Sequence, residues 1–403
     1  MKKLQRLFWV ALVTVILSAC GNADASKTPD GTQNPPAETA TPTPTPEPVL
    51  QEQSFLPTEK YVRAIGRTMT AKDCLWLVHS GTGCEFTFNG TKATVKIKPD
   101  SSFMTRSNQA RVAIYVNGER VIDDMVDKME KVYTVFESET PADCTVRVVK
   151  LSEATYSTFG ISAVDATCYG AIKPTAGSDK LIEFVGDSIT CGYGVDDLDA
   201  SHHFSTTTED ATKTYAYKTA EKLGADYSLV SFSGYGIISG YSGDGNKKPE
   251  QLVPSFYDKM GNSGGTFMGD FVAQETPWDF TKRQPDVVVI NLGTNDNSYV
   301  KGNAAKKEEF TTSYVAFLKQ VREKNPDATV FCTLGIMGAE LYPSIEDAVT
   351  RYTAETGDAK VFTMKFDVQS QADGIAADWH PSEKTHEKAA EKLAVKIKEV
   401  MGW

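Results

Sequence analysis

Apolar and polar residues alternate with period two over residues 51–172 and with helical spacing in the second half of the chain. "CEFTFNGTKATVKIK" alternates around Asn89-Gly90, and "RVAIYVNGERVI" does the same around Asn117-Gly118. Asn-Gly between alternating runs predicts a hairpin turn, because both residues tolerate the positive φ that tight turns need. Strand-like runs follow at 132–136 and 144–149, with no amphipathic helix between them. An antiparallel β-sandwich over 51–175 is expected.

From residue 180 the period changes. Apolar runs at 181–185, 227–232, 286–292, 328–334 and 360–366 alternate with helical segments. Phe310, Tyr314, Leu318 and Val321 share one helical face, as do Leu393, Ile397 and Val400. Gly224 after Leu223 reads as a helix stop. Strands that alternate with helices predict a central parallel sheet over 180–403, with sites at the carboxyl ends of its strands. The fold class is therefore α/β, with a jelly-roll-like β-sandwich in front.

Four groups suited to chemistry fall at those strand ends. "FVGDSITCGYG" stops an apolar run at Ser188. Gly234 follows the second strand in "VSFSGYG". "INLGTNDNS" follows the third and carries Asn295. "DWHPSEKTH" precedes the last helix and carries His380. A serine hydroxyl needs an adjacent base to become a nucleophile, and histidine is best placed by its pKa. Of the five histidines, His79 lies in the β-region, His202 and His203 are adjacent in a polar loop, and His386 is expected to face solvent from the final helix. His380 alone follows a strand end in the second region. Adjacent His202 and His203 do not converge on a metal, and no C-x-x-C is present. Asp187 and Asp296 read as structural residues of their turns. Tyr193 and Trp278 read equally as cleft or core residues. Residues 235–284, rich in Gly and aromatics, are expected to wall the site.

In this order the four blocks resemble the SGNH hydrolases, also called the GDSL esterases. With the β-sandwich in front, the match resembles carbohydrate esterase family two over roughly residues 55–403. The resemblance implies a serine esterase that removes acetyl groups from polysaccharides such as xylan or mannan. It assigns Ser188 as nucleophile, His380 as base, and the Ser188 and Gly234 amides with the Asn295 side chain as oxyanion donors. It places Trp379 in the sugar cleft and requires no metal or organic cofactor. In one respect the chain departs from the broader family. The Asp-x-x-His pattern would put the third member at residue 377, which is Ala377, while Asp378 is two residues before His380. Either Asp378 orients the imidazole through an altered turn, or a backbone carbonyl does so and the pair is a dyad. The alternatives in function are a broader GDSL-type lipase or esterase, a cell-wall glycan deacetylase, and a carbohydrate-binding lipoprotein without activity.

Composition narrows the setting. The 403 residues carry a net charge of −11, spread widely without basic clusters, which argues against nucleic acid as a partner. Met1-Lys2-Lys3 through Arg6, a short apolar run, and "LSAC" ending at Cys20 match a bacterial lipoprotein signal; the run is too short to span a bilayer. Residues 21–50, ending "TPTPTPEP", form an extended spacer. The expected product is exported, anchored to the membrane only through lipid on Cys20, and monomeric. Six further cysteines allow 15 full disulfide pairings, and Cys191 and Cys332 read equally as buried thiols.

Overall fold

The first strands, β1 (Leu50–Phe55), β2 (Arg63–Ile65), β3 (Thr68–Ala71), β4 (Cys74–Leu77) and β5 (Gly83–Pro99), are followed by β6 (Arg111–Val116), β7 (Glu119–Met125), β8 (Lys131–Lys150), β9 (Phe159–Tyr169) and β10 (Lys173–Pro174). They pair as one antiparallel set whose backbone path runs β3-β4-β9-β5-β8-β6-β7. Along β5 buried and half-exposed side chains alternate, as the sequence predicts. Phe86, Val95, Val112, Val148, Phe159 and Ile161 meet from four of these strands in one core. The structure, a computed structural model, describes residues 49–104, 108–263, 265–267 and 272–403. The leader, Cys20 and nearly all of the 21–50 spacer lie outside the described residues; β1 already begins at Leu50.

Asn117-Gly118 is the tight turn between β6 and β7, with φ of 52° and 89°. The hairpin expected at Asn89-Gly90 is not there. β5 runs straight through it, paired to β8 and β9 on its two sides. Gly90 is instead a point of close approach, since a Cβ there would sit 2.2 Å from the Thr167 carbonyl oxygen. The same dipeptide thus serves a turn in one place and a crowded strand crossing in the other.

The second region alternates strands and helices: β11 (Leu181–Gly186), α1 (Ser188–Cys191), α2 (Tyr215–Leu223), β12 (Asp226–Ser231), β13 (Val287–Asn291), α3 (Thr294–Val300), α4 (Ala304–Lys324), β14 (Thr329–Ile336), α5 (Tyr342–Thr356), β15 (Val361–Val368) and α6 (Glu383–Met401). All strand pairings in it are parallel, in the order β12-β11-β13-β14-β15. Helices cover both faces, which is why β11, β13 and β14 are buried at every position and show no alternation, whereas the edge strand β15 carries exposed Lys365 and Asp367. Phe310 and Tyr314 of α4 pack on one face, and Tyr215 of α2 with Leu393 and Ile397 of α6 pack on the other. Gly224 caps α2 with φ 59°. The order of strand addition reverses at β11, with β12 on one side and β13 on the other, so the crevice beyond the carboxyl ends of β11 and β13 is the place where this topology opens a site.

Four arginines from the β-region form ion pairs with the α/β region, Arg63 meeting Asp226 at 3.0 Å. Arg67 meets Glu183 at 2.9 Å with both side chains buried; Arg111 meets Asp196 at 2.7 Å, and Arg120 meets Asp210 at 2.8 Å. All six cysteines after Cys20 are buried free thiols.

Candidate active site

β11 ends where Asp187 leaves the strand and caps α1, its Oδ1 accepting from the Ile189 amide at 3.1 Å. That cap places Ser188 in the first turn of α1, at the carboxyl end of the sheet. His380 arrives from the other side of the crevice, on the turn before α6, whose first amides are capped by Ser382. The structure brings the two together: His380 Nε2 is 2.9 Å from Ser188 Oγ. His380 Nδ1 faces two carbonyl oxygens, that of Asp378 at 3.1 Å and that of Ala377 at 3.3 Å. Carbonyls only accept, so Nδ1 carries the proton and Nε2 is left to accept from the serine. Burial lowers the His380 pKa to about 4, which keeps the imidazole neutral near pH 7.

The Asp378 carboxylate does not point at the imidazole. It accepts from the Tyr193 hydroxyl at 2.7 Å and the Phe204 amide at 2.9 Å, and His203 Nδ1 lies 2.9 Å away. Burial alone would raise its pKa, but these partners hold it below the usual carboxylate range. Asp378 and Trp379 are both left-handed, with φ of 49° and 63°, a strained conformation for side chains of this size. Ala377 is fully buried against Gly194, where an added Cβ would lie 2.8 Å from the alanine's own Cβ. The position that the broader pattern gives to an acid is thus filled by close packing.

Tyr193 stacks on the His380 ring with centroids 3.9 Å apart, and Phe204 stacks on the far face of Tyr193 at 4.3 Å. Tyr156 of the β-region extends the stack at 4.7 Å. Neither Phe204 nor Tyr156 carried a sequence signal, because their relation to His380 exists only in space. Trp379 is 61 % exposed at the rim. Trp278 lies elsewhere, beside Arg67 and Lys282 in a cleft near the start of β11.

The amides of Ser188 and Gly234 have no hydrogen-bond partner among the described residues and lie at adjacent strand ends. Gly234 has φ 82°, with open space where a side chain would stand. Asn295 Nδ2 donates to the Tyr235 carbonyl at 2.9 Å and, at 3.3 Å, to Asp187 Oδ2. Asp296 is buried and accepts from the amides of Ile237, Ile238 and Ser239, fixing the start of the 235–284 segment. Burial lifts Asp187 to about 7 and Asp296 to about 6. Farther along the segment, Met260, Phe267 and Ala273 pack with Trp76 and Val78 of the β-region.

His386, expected at the surface, is buried at the α2–α6 contact, where its Nδ1 accepts from the Tyr215 amide at 3.1 Å. The small residues of α6 let the helix lie close to α2, so its polar-looking face is covered. His79 is buried beside Phe232, and His202 pairs with Asp197 at 2.9 Å. Among the described residues, one group offers metal-type ligand atoms close together: Glu153, Cys191 and Glu209, all buried, with donors within 4.8 Å of one another. Lys150 Nζ lies in the same cluster, bonded to the carbonyls of Ser152 and Glu153. Its ammonium already supplies a cation there, and burial lowers its pKa to about 8.

The GDSL-like Lipase/Acylhydrolase family matches residues 184–388, which span Ser188, Gly234, Asn295 and His380. The chain belongs to this family. The Carbohydrate esterase 2 N-terminal family matches residues 64–174, the β-region in front of the GDSL-like domain. Cellulase/esterase CelE of Acetivibrio thermocellus is 31 % identical over 337 residues, which are 82 % of this chain and 38 % of that protein. The chain thus spans well under half of that relative. An acetylxylan esterase / glucomannan deacetylase of Cellvibrio japonicus is 22 % identical over 86 % of this chain and 90 % of its own. A family two carbohydrate esterase from Clostridium thermocellum, solved in complex with cellohexaose, superposes with a TM-score of 0.72 at 28 % identity, covering 85 % of this chain and 99 % of that one.

Proposed function

We propose that the protein is a carbohydrate O-deacetylase, a serine esterase that removes acetyl groups from polysaccharides of the xylan or mannan type. The observation that carries the reading is the 2.9 Å contact between Ser188 Oγ and His380 Nε2, set beside two backbone amides without a partner among the described residues. Ser188 attacks the acetyl carbonyl as His380 Nε2 takes its proton. The tetrahedral oxyanion is held by the Ser188 and Gly234 amides and by Asn295 Nδ2, whose long contact to Asp187 is the one exchanged. His380 returns the proton to the departing sugar hydroxyl, leaving acetyl-Ser188. Water, deprotonated by His380, then releases acetate and the free serine. His380 is oriented by the carbonyls of Asp378 and Ala377, so the machinery is a dyad. Trp379 offers a flat exposed face to a sugar ring.

The N-terminal β-region's family match and the relatives' activities on acetylated xylan and glucomannan support this substrate class. We further infer export, with lipid on Cys20 and residues 21–50 holding the enzyme off the membrane; retention in the membrane fraction that is lost on Cys20→Ala is the expected result. The reading is tested by acetate release from acetylated xylan and glucomannan beside acetyl, butyryl and octanoyl esters. Acetyl preferred, with EDTA without effect, is expected. Rates that rise with acyl length, or activity abolished by EDTA and restored by zinc, would overturn it.

A further inference from the structure

A carboxyl side chain from the β-region sits against the oxyanion loop. Glu153, in the connection between β8 and β9, is fully buried. Its Oε2 accepts from the Ser233 amide at 3.0 Å and from the Thr155 hydroxyl at 2.6 Å. Ser233 immediately precedes Gly234. One residue on, the Gly234 carbonyl, in the peptide unit that follows, accepts from the Tyr241 amide at 2.7 Å. The Gly234 N–H therefore lies between two anchors, one of which belongs to the β-region.

The connection that presents Glu153 is itself tied down. The Glu153 amide donates to Glu209 Oε2 at 2.9 Å, Lys150 Nζ donates to the Glu153 carbonyl at 2.9 Å, and the Ala211 amide donates to the Leu151 carbonyl at 3.1 Å. Burying a carboxyl group is expensive, and the other Glu153 oxygen, Oε1, has no hydrogen-bond partner among the described residues. An apolar side chain of similar volume would serve packing as well or better. What an apolar side chain cannot do is accept from the Ser233 amide.

We propose that Glu153 is a positioning residue for the oxyanion hole: the β-region, through this side chain, fixes Ser233 and so the next peptide unit, which presents the Gly234 N–H to the reacting carbonyl. The inference rests on the esterase reading of the same site. It makes the β-region part of the catalytic apparatus, beyond any contact it makes with glycan. An oxyanion donor displaced by a fraction of an ångström loses transition-state binding while leaving ground-state binding intact.

The test compares Glu153→Gln, which keeps an acceptor oxygen, with Glu153→Leu, which removes it, using the full chain and both 4-nitrophenyl acetate and acetylated xylan. For Glu153→Leu, kcat should fall about 30-fold with KM within about twofold, below the ~10²–10³-fold effect of deleting a donor outright. Inhibition by phenylboronic acid, whose tetrahedral serine adduct places an oxygen in the hole, should weaken in the same proportion. Glu153→Gln should recover kcat to within about threefold. A folded Glu153→Leu with wild-type kcat, or a Gln variant as impaired as Leu, would overturn the proposal. Should Glu153→Leu not fold, Thr155→Val decides: removing the second bond to Oε2 should lower kcat about threefold at constant KM, and an unchanged kcat would overturn the proposal. Wild-type protein without Ser188-dependent hydrolysis would instead refute the esterase reading.

Discussion

The two halves of the proposed dyad are held in opposite ways. Ser188 stands on regular structure: a buried parallel strand ends, Asp187 caps the next turn, and the serine follows from that junction. His380 stands on an irregular turn in which Asp378 and Trp379 both take a left-handed backbone. Side chains hold that turn: Tyr193 stacks on the imidazole and bonds to Asp378, which also takes the Phe204 amide. A nucleophile set by secondary structure is robust to its surroundings. A base set by a strained turn depends on its neighbours, and strain of this kind persists only where surrounding contacts over-determine it.

The largest expected effects fall on the reacting groups. Ser188→Ala and His380→Ala should each lower kcat by on the order of 10⁴-fold or more, with folding intact by thermal melting. Residual activity within tenfold of wild type in either would place the chemistry elsewhere.

Next come the supports of the base. Tyr193→Ala removes the face against which His380 rests and should cost about 10²-fold in kcat, whereas Tyr193→Phe keeps the stack and should cost only a few-fold. Equal losses in the two variants would show that the hydroxyl bond to Asp378, and not the stack, sets the ring. Ser188 is set by the end of β11 and the Asp187 cap rather than by a stacked ring, so Cys191→Ser, on its own helix turn, should change kcat less than Tyr193→Ala does.

Ala377→Asp would restore the spacing of an acid to the histidine turn. With Ala377 packed on Gly194, the carboxylate has no room. It should destabilise the protein by about 3 kcal/mol or more without raising kcat, measured by melting and by turnover. A stable, faster variant would contradict the packing argument.

A smaller effect is expected in the pH profile. His380 acts as a base only when neutral, and burial lowers its pKa to about 4. Protonation as pH falls therefore removes activity, so kcat/KM should hold from pH 7 to about 5 and fall with a midpoint near 4. A midpoint near the ordinary histidine value of about 6.5 would show that the imidazole is solvated during turnover.

The same contrast explains what was legible in the chain. β11 to β15 and the ends that carry Ser188, Gly234 and Asn295 are local patterns: apolar runs stopped by turn residues. The His380 turn was legible as a motif but not as a shape, because its φ values depend on Tyr193 and Phe204, more than 170 residues earlier. Glu153 reads in sequence as an ordinary loop acid; only tertiary packing buries it and aims it at Ser233. Asn89-Gly90 and His386 were misread for the related reason that a local preference was overruled by a long-range neighbour, Thr167 in one case and Tyr215 in the other.

The central claim is that backbone carbonyls, and not the Asp378 charge, orient the base. Asp378→Asn tests it most directly, since the amide oxygen can still accept from Tyr193 and Phe204 while the charge is gone. The account predicts kcat/KM within about tenfold of wild type in a folded protein. Replacing the acid of a true triad by asparagine lowers kcat by ~10⁴-fold, so a loss beyond about a thousandfold would contradict the dyad.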